Sequence, residues 1–360
     1  MHITDLVVRE LGLTHVHELE PFATLNGVTV VDIESAEGYF RVHLVRDSEY
    51  LNVKLEEGSK LAAYYNSLFW HEISTAEKIP IPSAHFKTAF RINDGDVKHA
   101  AFVTKSESKG DSLTRLGLPE LEQVAVQIAK LHAVNSRVVN EQFAINVEEN
   151  YRNIKQFKRK MQKDLVEVLE LALNSEVKRY FVNPSSILQK IGILTHHLEN
   201  ENTEEDEKNK HRVITHGRLT SDVCKFDENG KLVEISEWEN IHLGNPVEDL
   251  SNLLVTSVDV EFRRKKFMKV FQVYFYALVD IHPPNYQLTE LKRWFKEFEA
   301  KIVMDGIEQL LITLSENENE ELKREMAYRW ESALEDTVDF LTGNYISDDE
   351  HTFFSHKEDE

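Results

Sequence analysis

The chain has 360 residues, 41% of them hydrophobic, and a formal net charge of −21. That size supplies one large core or two ordinary ones, and the acidic balance argues against nucleic acid or an anionic membrane as partner, since both reward basic patches. The single cysteine, Cys224, excludes an internal disulfide; with no basic, apolar leader at Met1–Asp5 and no apolar run long enough for a bilayer, the expectation is a soluble cytoplasmic protein without membrane contact.

In chain order, Ile3–Leu13 reads as a short amphipathic helix. Strand-like segments follow at Val28–Ile33, Phe40–Val45 and Tyr50–Leu55, punctuated by Gly27 and Gly38, with Lys54 near the end of the third. A helix is predicted over roughly Lys60–Glu77 and carries Glu72. Phe86–Arg91 and Ala100–Thr104, around Asn93-Asp94-Gly95-Asp96, complete a predicted five-stranded antiparallel sheet. Lys105–Leu116 is a polar connection containing Gly110.

From there the pattern is mainly helical. Pro119–Val134 has proline in its first turn and Leu121, Val124, Ile128 and Leu131 at helical spacing. His132, at its end, is a packing residue, because no second histidine stands four residues away to make a metal motif. Tyr151–His197 is helical with irregular connections, and Glu199–Lys210 is a charged, exposed insertion. Val213–Thr215 is a short apolar run. Val223–Phe226 and Leu232–Ile235 alternate around the turn residues Asp227-Glu228-Asn229-Gly230, which predicts a hairpin. A hairpin holds its ends side by side, so His216-Gly217-Arg218 and Ser236-Glu237-Trp238 should face one pocket. Helices are predicted at Pro246–Val258, Phe262–Asp280, Leu288–Leu314 and Glu320–Leu341.

The run His216-Gly217-Arg218-Leu219-Thr220-Ser221-Asp222-Val223, the hairpin, Ile235-Ser236-Glu237-Trp238-Glu239, and His242-Leu243-Gly244-Asn245-Pro246-Val247-Glu248-Asp249-Leu250 resemble the catalytic core of the aminoglycoside phosphotransferase and choline-kinase-like proteins. The closest resemblance is to the CHK-kinase-like or ecdysteroid-kinase-like branch, nematode type. Ala129-Lys130-Leu131-His132-Ala133 is similar to that family's A-x-L-H-A signature, and Tyr286–Lys292 to a nematode-branch segment. The resemblance runs from about Phe40 to Leu341. It implies an α+β, bilobal protein-kinase-like fold, with an antiparallel-sheet N-lobe over 1–105 (five strands and one helix). A mostly helical C-lobe follows over 106–345, with the catalytic-loop hairpin at 211–240, and then an acidic tail, 346–360. It also implies ATP, Mg2+ and a ligand in the inter-lobe cleft. Lys54 would contact phosphate and Glu72 would pair with it. His216 and Asp249 would be scaffold for the catalytic loop.

Three chemical positions depart from the family pattern. The catalytic aspartate falls on Arg218, the metal-binding asparagine on Val223, and the second metal-binding aspartate on Glu237. A guanidinium has no acceptor and stays protonated, and valine offers no oxygen to a hard cation. The reading is a pseudokinase with impaired small-molecule phosphotransferase activity, and the same substitutions argue against ordinary use of ATP and Mg2+. Two alternatives stay open: an active kinase with ligands or a base redrawn from Asp222, Glu237 and Glu239, and a non-catalytic interaction scaffold whose protein partner meets the acidic surface. Arg218 is expected to pair with Glu237 or Asp222 in the space a metal would fill.

Overall fold

The structure, a computed structural model, describes residues 3–18, 22–23, 29–46, 70–71, 74–75, 78–79, 81–94, 97–106, 109–134, 141–200 and 211–344. Gly27, the expected strand Tyr50–Leu55 with Lys54, Glu72, most of the charged insertion and the acidic tail lie outside the described residues.

The N-terminal lobe is an antiparallel sheet. Strands β1 (His17–Glu18), β3 (Thr29–Ser35), β4 (Gly38–Arg46), β6 (Val97–Ser106) and β5 (His85–Asp94) follow one another across it, and β2 (Phe22–Ala23) also pairs with β3. The five strands expected thus become six among the described residues, and the strand between β3 and β6 is β4. Side chains alternate across a strand. Val31, Ile33, Phe40, Val42, Leu44, Ala101 and Val103 therefore share one face, where they form a core with Val7 of helix α1 (Ile3–Leu11). The opposite face carries Asp32, Arg41, His43 and Thr104 and looks toward the second lobe.

The second lobe is mostly helical: α2 (Leu118–His132), α3 (Glu141–Leu173), α4 (Pro184–Asn200), α5 (Glu248–Thr256), α6 (Val260–Ile281), α7 (Leu288–Asp305), α8 (Ile307–Glu316) and α9 (Glu320–Leu341). Their apolar stripes meet in one large core that includes Leu121, Leu254, Phe271, Phe295 and Leu334. The single helix expected over Leu288–Leu314 is two helices broken at Gly306. There the Trp330 indole N–H donates to the Val303 carbonyl at 2.8 Å, taking a last-turn acceptor of α7. The polar connection after β6 also contains a short strand, β7 (Asp111–Ser112). It pairs with β9 (Cys224–Phe226), which pairs in turn with β10 (Leu232–Ile235). Strands β8 (Val213–Thr215) and β11 (His242–Gly244) form a separate antiparallel pair. Among the described residues no helix is long and apolar enough to cross a membrane.

Direct contacts tie the first lobe to the hairpin of the second. The Ile235 amide donates to the Pro82 carbonyl at 2.7 Å. The Ser106 hydroxyl, at the end of β6, donates to the Glu234 carboxylate. Trp70 stacks on Trp238 with ring centroids 4.3 Å apart, and both are fully buried. Truncating a buried tryptophan forfeits its packing and leaves a cavity, so Trp238→Ala should cost about 3–5 kcal/mol in urea denaturation. A loss well under about 1 kcal/mol would show that the stack bears little of the fold's stability.

Two histidines give stability a pH dependence. Burial pushes the His71 imidazole, whose Nδ1 faces the Ala84 carbonyl at 2.8 Å, down to about 4. Burial, with the Arg41 charge, pushes His43 down to about 3. Both are neutral when folded and take up protons on unfolding once the pH is below their ordinary value of 6.5. These two groups then bind more protons in the unfolded chain, so their contribution to stability falls as pH drops from about 6.5 toward 4, by about 1.4 kcal/mol per pH unit for each group, opposed in part by Glu239, which is pushed up to about 7. Urea midpoints between pH 7 and 5 should show this, with a shallower slope for His71→Leu.

Candidate active site

The loop between β8 and β9 is held from below by α5. Asp249, in its first turn and fully buried, accepts hydrogen bonds from the backbone amides of His216 (2.8 Å) and Gly217 (2.9 Å). The His216 ring is also buried and uses both nitrogens: Nε2–H donates to the Ser236 carbonyl at 2.7 Å, and Nδ1 accepts from the Arg218 amide at 3.3 Å. That pattern belongs to a neutral imidazole. Burial pushes His216 below its ordinary pKa, against the pull of Asp249. Its ring lies 4.6 Å from that of Trp238, so Trp70, Trp238 and His216 form one aromatic column from the first lobe to the loop. Gly217 has φ +79°, and a Cβ there would run into the Asn240 carbonyl oxygen.

This scaffold aims Arg218 into the cleft. Its Nη2 donates to the Glu237 carboxylate and, at 3.3 Å, to Asp222 Oδ2. Burial alone would lower the Arg218 pKa, but the charges of Asp222 and Glu237 outweigh it and hold the guanidinium protonated. Burial would likewise raise Asp222; the Arg218 charge and the Thr220 hydroxyl keep it below the usual carboxylate range instead. Glu237 sits in the left-handed region, φ 60° and ψ 61°, which non-glycine residues seldom adopt. Glu239, two residues on, is pushed up to about 7 by burial first and then by the Glu237 charge. Val223 is fully buried in the core.

Two groups at the cleft are absent from the sequence reading. Arg41, on the inward face of β4, makes a two-pronged pair with Asp32 at 2.7 and 2.8 Å, and feels the charges of Glu234 and Glu237 across the cleft. Its signal is visible in the sequence as a cation inside the alternating run Phe40-Arg41-Val42-His43-Leu44. The other is Lys158, which falls on the inward stripe of α3 with Val147, Tyr151, Ile154 and Leu165. Its ammonium donates to the Asn240 side chain at 3.1 Å, and burial pushes its pKa down. Beside it Tyr151 stacks on His242 with centroids 3.6 Å apart, and Glu248 reaches both His242 (3.3 Å) and Lys301 (3.5 Å).

The geometry is that of a two-lobed cleft with a loop, a hairpin and a charged floor. The ecdysteroid kinase-like profile matches residues 97–283, just over half of the chain and all of the loop and hairpin. The chain belongs to the ecdysteroid kinase-like family. Among solved structures, a spectinomycin phosphotransferase in complex with ADP and spectinomycin is similar with a TM-score of 0.51 and 12% identity, over 94% of this chain and 98% of that one. Ethanolamine kinase from Plasmodium vivax is similar with a TM-score of 0.50 and 10% identity, over 91% of this chain and 84% of that one. Likeness at such identities speaks to the fold alone. No curated protein matches the chain significantly.

Magnesium, which the family implies, takes several converging oxygens in octahedral geometry. In this ecdysteroid kinase-like chain the Asp222 and Glu237 carboxylates converge on a guanidinium, and among the described residues no group of three His, Cys, Asp or Glu side chains is arranged to hold a metal. The donor set does not fit the ion.

The loop's dependence on Gly217 can be measured against a glycine in open space. Gly230 also has positive φ, +73°, with no atom near a built Cβ. Gly230→Ala should cost about 1 kcal/mol, whereas Gly217→Ala adds a backbone clash and should cost at least about 3 kcal/mol in urea denaturation. Equal costs would mean that the loop yields freely to the added methyl.

Proposed function

We propose that this chain keeps the architecture of a small-molecule kinase and has lost its phosphoryl-transfer chemistry. The observation that carries the reading is Arg218, which the sequence resemblance sets at the catalytic-aspartate position and whose guanidinium is engaged with Glu237 and Asp222. A kinase of this class needs a carboxylate to accept the acceptor hydroxyl's proton and orient the oxygen for in-line attack. A permanently protonated fork does neither. The asparagine position is Val223, sealed in the core, so its loss is not repaired by a nearby side chain turning inward. Phosphoryl transfer depends almost wholly on positioning and charge stabilisation, so these losses remove most of what the protein would contribute. His216 and Asp249 are then scaffold, and the cleft serves as a binding site for a small molecule. The acidic chain fits neither nucleic acid nor an anionic membrane as partner.

One observation favours the active-kinase alternative. Burial and then the Glu237 charge push Glu239 up to about 7, near where a general base works best. If Glu239 serves as base, turnover rises as pH passes about 7 and disappears in Glu239→Gln.

The deciding experiment incubates the purified chain with Mg·ATP and a panel of alcohols and follows transfer of the terminal phosphate. No transfer above the protein-free rate is expected, with no magnesium-dependent thermal shift by ATP. Turnover abolished by Glu237→Ala or Glu239→Gln would overturn the reading.

A further inference from the structure

Helix α3 is 33 residues long and is divided by charge. From Arg152 to Lys163 it carries six cations and no acid; from Asp164 to Glu170 it carries three acids and no cation. Its buried side is the stripe of Val147, Ile154 and Leu169. Residues three, four and seven apart share one face of a helix. Arg159, Lys160, Lys163, Asp164 and Glu167 therefore lie together on the opposite side, and all five are exposed. Two large apolar side chains follow them on the same helix, Val168 at 48% and Leu171 at 72% exposure.

These charges have partners within reach and leave them unused. Lys160 has Asp164 four residues on, and Lys163 has Glu167. The order is the weaker one for such pairs, cation before acid. Elsewhere on the surface Glu261, acid first, closes on Lys265 at 2.6 Å, whereas Arg293, cation first, stands 3.7 Å from Glu297. Among the described residues none of Lys160, Lys163, Asp164 and Glu167 forms an ion pair.

We propose that this face is the interface of a homodimer, in which α3 of a second copy lies antiparallel across it, about a two-fold axis between Lys163 and Asp164. The pattern is complementary to itself in that direction alone. A parallel mate would set cation on cation and acid on acid. Antiparallel, Lys163 meets the partner's Asp164 and Lys160 meets the partner's Glu167, and the symmetry of an isologous contact makes each pair twice. The same register lays the aliphatic stem of Arg159 over the partner's Val168, and Gln156 over the partner's Leu171. Each copy carries a net charge of −21, which opposes association. At physiological ionic strength charges farther apart than about 8 Å are largely screened, so the pairs in contact outweigh the remote repulsion. One helix pair is small beside the interfaces of permanent complexes, and exposed ion pairs each contribute little, so the dimer is a weak and reversible one. The face lies on the far side of the helix from Lys158 and the cleft, and the proposal stands whether or not the cleft transfers phosphate.

The test is sedimentation velocity on the full chain from about 1 to 200 µM in about 0.15 M salt. The wild type should pass from monomer to dimer with a Kd of roughly 10–100 µM. Two double variants make the face uniform in sign: K160E with K163E leaves it acidic, and D164K with E167K leaves it basic. Each alone should be monomeric at every concentration. An equal mixture should form a heterodimer at least as tight as the wild-type dimer, because every contact then joins opposite charges. Misfolded variants could not restore association on mixing, so the mixture stays decisive if one of them is destabilised. A wild type that is monomeric throughout would overturn the proposal. So would double variants that each dimerise as the wild type does, or a mixture that remains monomeric.

Discussion

Two backbone amides share one buried carboxylate. The amides are those of His216 and Gly217, and the carboxylate is that of Asp249. An ionised carboxylate taken out of water is costly unless its lone pairs are filled, and hydrogen bonds to a charged acceptor are among the stronger ones. The pairing therefore fixes the loop to the first turn of α5. The rest of the site follows from that anchor. His216 is locked between the Ser236 carbonyl and the Arg218 amide, Gly217 is pressed against Asn240, and Arg218 has one direction left, into the cleft.

The anchor and the chemistry are separable. Asp249, His216, Gly217 and Trp238 build a kinase-type loop whatever residue follows the glycine, because their contacts run through backbone amides, carbonyls and ring faces. In this chain the result is an ionic lattice: Asp32 with Arg41 above, Asp222 and Glu237 with Arg218 below, Glu234 with Ser106 at the junction of the lobes. Opposite charges meet inside the molecule. Fold and function are accordingly distinct conclusions. The family membership rests on the matched profile and the fold on the architecture, whereas the proposed loss of transfer chemistry rests on the side chain at 218.

Much of the architecture was legible beforehand, for identifiable reasons. Helices α2, α6 and α9 show in the sequence as apolar residues at 3.6-residue spacing, and the β9–β10 hairpin shows as two alternating runs around Asp227–Gly230. The break at Gly306 did not show, because the apolar pattern continues through it. What ends α7 is Trp330, distant in sequence, claiming the Val303 carbonyl. Strand β7 was hidden for a similar reason: Asp111 and Ser112 carry no strand pattern and are extended by pairing with β9.

Sequence alone determined the order of the elements, the grouping of His216, Arg218 and Glu237 near one hairpin, and the chemical fact that a guanidinium cannot accept a proton. These follow from local periodicity, turn chemistry and the nature of single side chains. Tertiary structure decided which charges meet. That Arg218 binds Glu237 and Asp222 together, that Arg41 faces the cleft from the roof, and that Lys158 interrupts a buried stripe to reach Asn240 depend on strand register and lobe packing. Pairings between residues far apart in the chain leave no mark on its one-dimensional pattern, because Coulomb attraction acts on distance in space.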